Sequence, residues 1–183
     1  MAAKNIRIAR VAALLGAALF ALASAGIVMG EAEYNDPTIS NPIPEWVGGS
    51  ALVLGVLLLF VALTGMHGVQ KKQAGFAGKL GYALTSIGLL VGGPMLWPTF
   101  VIGAPAIVAG SILFGIATLR AGIFSREAAW LLALGIPLAA ASAPLFDLAG
   151  IHAGSALIAV SGVLALAFLV HGVSMRKVAL PSA

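Results

Sequence analysis

Two histidines of this chain stand in the same local setting: His67 and His171 each lie near the end of a long uncharged run, and each is followed by glycine. A neutral imidazole can ligate a metal or a haem iron, and an adjacent glycine leaves room for a flat ring. His67 and His171 are therefore candidate axial ligands of a haem b. The plainer alternative is a pair of polar groups hydrogen-bonding near lipid headgroups. His152 cannot join them, because the helical rise from His152 to His171 is about 28 Å.

A second group of chemical residues is acidic. Glu31, Glu33 and Asp36 gather beside the turn-forming Asn35 and Pro37. They could offer oxygen ligands to Ca²⁺, but they lack the twelve-position EF-hand pattern. A solvated cap, or a docking loop that orients a basic partner, is the simpler expectation. Asn41 is followed by Pro42, which excludes a glycosylation acceptor there. The chain has no cysteine, no H-E-x-x-H and no phosphate-binding G-x-x-x-x-G-K-S/T. Three separated histidines with hardly any carboxylate at membrane depth do not make a nucleophilic triad. The expectation is no enzyme, no resident metal, and no cofactor unless the two histidines hold haem.

The elements that must position these groups are membrane helices. Of 183 residues, 61% are hydrophobic and 9% charged, and the mean hydropathy is +1.08. A bilayer core about 30 Å thick takes roughly 20 apolar residues per crossing. Breaks in the apolar pattern predict six spans over 8–29, 46–70, 80–96, 100–119, 128–146 and 151–173, with an acidic outer loop over 31–45. Gly92-Gly93-Pro94 and Trp97-Pro98 mark the third turn, and Pro137 should bend the fifth helix. The fold class is all-α, one transmembrane domain over 1–183 built as three tandem helical hairpins.

Charge sets the orientation. Lys4, Arg7, Arg10, Lys71, Lys72, Lys79, Arg120, Arg126, Arg176 and Lys177 all fall on one side, with both termini. Every acid but Glu127 falls on the other, and Glu127 can pair with Arg126 or cap the fifth helix. By the positive-inside rule the basic side is cytoplasmic, which makes this a multi-pass protein of a bacterial inner membrane. The pI near 9.9 thus reflects inner loops rather than a nucleic-acid partner. Lys4, Arg7 and Arg10 before Ala23-Ser24-Ala25-Gly26 also fit a signal peptide; retention as a span is the expectation.

Small residues recur at the start of each returning helix, in Gly49-Ser50-Ala51-Leu52, Gly110-Ser111-Ile112-Leu113 and Gly154-Ser155-Ala156-Leu157. Within lipid such residues let backbones approach closely. Gly26 with Gly30, and Gly88 with Gly92, have the spacing of small-residue seams. Gly49, Ser50, Gly154 and Ser155 are candidate interface residues, joined at the outer side by Glu31, Glu33 and Asp36. The expected partners are membrane lipids and another integral membrane protein, or a second copy of the chain.

Leu134-Gly135-Ile136, Ser161-Gly162-Val163-Leu164 and the terminal basic pair Arg176-Lys177 resemble the HdeD-like family of small bacterial membrane proteins. The resemblance implies six helices and a role in acid resistance, and it brings no catalytic residues. Together these features predict a small structural or accessory subunit of a membrane complex, with stress association as its family-based variant. A transporter or channel for a small solute, and a haem-binding subunit, are the alternatives.

Overall fold

The computed structural model describes residues 2–35, 38, 40–92, 99–142 and 154–179, which are mostly helical with no strand among them. The helices are α1 (Ala2–Asn35), α2 (Glu45–Gln70), α3 (Gly75–Gly92) and α4 (Thr99–Ala121), then α5 (Arg126–Trp130), a π turn (Leu131–Gly135), α6 (Ile136–Ala141) and α7 (Gly154–Ala179). Among the described residues four stretches are long and apolar enough to cross a membrane: Asn5–Ile27, Glu45–Gln70, Gly75–Gly92 and Gly103–Ala121. α7 contributes a shorter apolar stretch, Gly162–Met175.

Local chemistry explains where these helices start and stop. α1 runs through Glu31 and Glu33 to Asn35, because the first breaker after the apolar run is Pro37. The connection to α2 is accordingly shorter than the acidic loop expected over 31–45. Pro44 begins α2 from an extended conformation, and its carbonyl accepts the N–H groups of Val47 and Gly48 at 2.9 and 3.1 Å. α3 starts at Gly75, before the expected position 80, with φ of 60° that suits glycine. Gly122, at φ 64°, closes α4 by donating to the Thr118 carbonyl. Ser125 then caps α5 by accepting the Ala128 N–H at 3.2 Å, with Glu127 in the first turn.

Pro137 produces the irregularity expected of it in a specific form. Its ring would clash with the carbonyl four residues earlier in a regular helix. The chain widens instead into the π turn just before it, where the Ile136 N–H reaches back to the Leu131 carbonyl.

Sequential helices pair, and the pairs close into a ring. α1 lies between α2 and α7, α3 lies against α4, α2 touches α3, and the segment 126–141 bridges α4 and α7. The α3–α4 seam is the tightest. Gly81, Thr85, Gly88 and Gly92 face Phe114, Gly110, Ile107 and Gly103 in strict antiparallel register. A side-chain carbon added at Gly92 would sit 2.9 Å from the Gly103 Cα, so the backbones touch. In the first hairpin Gly16 meets Leu58 and Leu59, Gly55 meets Phe20, and Gly65 meets Ala9.

The core is mainly apolar, but the surface is not that of a water-soluble protein. Gln70, Thr85, Ser111, Thr118 and His171 are buried, whereas Leu54, Ile87, Leu134, Leu138 and Val173 are exposed. Water would penalise that outward apolar surface, and lipid does not. Trp46 and Phe76, 76% and 79% exposed, stand at the ends of their helices where aromatic belts form.

Candidate functional site

The two candidate histidines occupy different settings. His67 on α2 stacks on Tyr82 of α3, with ring centroids 4.4 Å apart and planes 9° from parallel. The Tyr82 hydroxyl lies 3.1 Å from the Thr64 hydroxyl, so one turn of α2 holds one ring of α3. His171 on α7 is wholly buried. Its Nδ1 lies 2.8 Å from the Ala167 carbonyl, which assigns the proton to Nδ1 and makes Nε2 an acceptor. Phe124 meets it edge-on at 5.8 Å.

The glycines beside them also differ. A side-chain carbon at Gly172 would strike Leu14 at 2.9 Å, so the space next to His171 admits α1. Gly68 has nothing within 4 Å and opens on a groove at the lower end of the first hairpin. Both histidines keep one buried ring nitrogen without a hydrogen bond, Nδ1 of His67 and Nε2 of His171. Their ring contacts are with different elements, Tyr82 of α3 and Phe124 beyond α4.

A polar link unseen in the sequence lies at the same end. Gln70 is fully buried, and its Nε2 donates to the Thr118 Oγ1 at 3.0 Å. Thr118 in turn donates to the Phe114 carbonyl at 2.8 Å. The Gln70 Oε1 has no partner. A polar residue standing just before Lys71-Lys72 was the available signal, but attention to charged groups passes over an uncharged amide. Most other core hydroxyls are turned onto their own helices: Ser24 donates to Phe20, Thr85 to Gly81 and Ser174 to His171. Among the described residues no group of three His, Asp or Glu could hold a metal ion.

At the opposite end, Asn41 ties the α1–α2 connection to α1. Its amide donates to the Gly26 carbonyl, its own N–H donates to the Glu33 carboxylate, and its Oδ1 accepts from Ile43. These contacts border a cleft of about 480 Å³ whose lining includes Glu33, Glu45, Ile43 and Gly49. Asp36 and the side chain of Glu31 lie outside the described residues, as do His152 and the surroundings of Gly154 and Ser155.

Gly49 and Ser50 face outward. A side-chain carbon at Gly49 would meet nothing within 4 Å, and the Ser50 hydroxyl bonds to the Trp46 and Val47 carbonyls of its own helix. Gly110 of the matching Gly-Ser pair is wedged against Thr85 instead. The shared dipeptide therefore does not mark a shared contact. No family model, curated protein or solved structure matches the chain.

Proposed function

We propose that this protein is a six-span component of a bacterial inner membrane, with both termini cytoplasmic, that serves as a structural or accessory subunit beside another integral membrane protein. The observation that carries this is the closed middle of the bundle. Leu59, Leu63, Leu89, Phe114, Leu132, Ile136, Leu164 and Phe168 are at most 1–2% exposed, and the core hydroxyls mostly bond to their own backbones. Among the described residues such packing offers a solute no polar line at membrane depth, which weighs against the transporter alternative. Open small-residue surface at Gly49 and Ser50 suits a neighbouring helix, and Gly154 and Ser155 carry the same residue pair on α7. Glu31, Glu33 and Asp36 would orient a basic partner.

Gentle native purification with mass spectrometry tests the role. Recovery with a stoichiometric membrane partner is expected; recovery only as a lone monomer under lipid-preserving conditions would count against it. Flux in liposomes would instead revive transport. The HdeD-like resemblance adds acid-stress protection as a variant, tested by acid survival of a deletion strain. The unbonded nitrogens of His67 and His171 keep haem b as a second reading, and a Soret band in the native preparation would decide for it.

A further inference from the structure

The first hairpin parts at its lower end. Ala9 of α1 presses against Gly65 of α2, but one helical step further down Gly68 has nothing within 4 Å, and the helices enclose a slot of about 550 Å³. Ile6, Ile8, Val61 and Val69 wall this slot, Asn5 and Lys71 stand at its polar rim, and among the described residues no carboxylate lines it. With the bundle embedded in the membrane as proposed above, Lys71 lies at headgroup level. Gly65 is about 9 Å deeper, at the start of the acyl region.

Two exposed apolar tracks lead from the slot toward the middle of the bilayer. On α1 they are Ile8, Val11 and Leu15, and on α2 Val61, Leu57 and Leu54, all between 41% and 53% exposed. Successive members stand three or four positions apart, so each track follows one helix face. Together the elements form an ammonium at the surface, a narrow slot where glycine leaves room, and paired greasy rails below. We propose that this slot is a binding site for an anionic phospholipid of the inner leaflet, its phosphate held by Lys71 and Asn5 and its acyl chains laid along the two rails.

Anionic rather than zwitterionic lipid follows from the rim. The cationic group of a choline or ethanolamine head would meet Lys71 and find no carboxylate within the slot. Arg7 and Lys72 are at the same end and raise the local concentration of anionic lipid without lining the slot.

The test uses the full chain released from detergent in native mass spectrometry, titrated with phosphatidylglycerol or phosphatidylcholine of matched chains. One phosphatidylglycerol should be retained in clear preference to phosphatidylcholine. Lys71→Ala should lower its retention about fivefold, whereas Lys72→Ala, whose side chain does not line the slot, should change it little. Gly68→Leu should fill the slot and expel lipid of either kind without unfolding the protein, which circular dichroism would check. Equal retention of both lipids, or equal losses in Lys71→Ala and Lys72→Ala, would overturn the site. A chain that stayed folded and monomeric without detergent would overturn the membrane reading beneath it.

Discussion

At the scale of single residues, the contrast between Gly110 and Gly49 separates packing from surface. A side chain at Gly110 would meet the Thr85 hydroxyl oxygen at 2.5 Å and the adjoining backbone, whereas one at Gly49 would meet open space. Gly110→Leu should therefore lower the thermal unfolding midpoint in detergent by the equivalent of at least about 1–3 kcal/mol. Gly49→Leu should leave that midpoint unchanged while weakening any partner that packs there; a midpoint lowered as far as in Gly110→Leu would show that Gly49 belongs to an internal seam. The Gln70–Thr118 bond makes a different kind of claim. Thr118→Val leaves the Gln70 amide donor buried and unbonded, at a cost of about 1–2 kcal/mol. The double variant Gln70→Leu with Thr118→Val removes both polar partners and should cost less than the two single changes added together. Strict additivity in that cycle would mean the bond contributes nothing.

At the scale of elements, the π turn and Pro137 compensate for each other. A π turn carries one residue more than the helix it interrupts, and its width gives the proline ring room. Deleting the exposed Leu134 should restore a regular helix and drive the ring into the preceding carbonyl, costing about 3 kcal/mol. Combining the deletion with Pro137→Ala should recover most of that loss in thermal unfolding; no recovery would show that the turn has another cause. That the helix would be irregular at Pro137 was legible, as were the ends of α2 from Glu45 and Lys71, because breakers and charges act locally. The seam partners were less so. Gly88 and Gly92 stood out by their spacing, but with 23 glycines in the chain nothing local tells Gly103 and Gly110, which meet α3, from Gly49 and Gly68, which meet nothing. That distinction depends on the rotation of two helices about their axes. Gln70 escaped notice for a related reason, since its burial is decided by α4.

At the scale of the whole molecule, α1 is central rather than peripheral. Ala9, Ala13, Ala17 and Ala23 are buried, and α1 packs on both α2 and α7. Orientation is the property with the most to test, because the charge asymmetry makes a definite statement about every loop. The absence of cysteine makes single-cysteine labelling clean. Ser40 and Gln73 are exposed and lie on opposite ends of α2. Ser40→Cys should react with a membrane-impermeant maleimide in intact spheroplasts, whereas Gln73→Cys should react only after the membrane is opened. Those two variants establish one crossing and its direction, and Asp147→Cys reports on the last pair. If the segment 126–141 and α7 both cross, position 147 is external and should label like Ser40→Cys. Labelling of Asp147→Cys only in opened membranes would leave four spans with the final helices on the inner side, and would remove the outer partner surface assigned to Gly154 and Ser155.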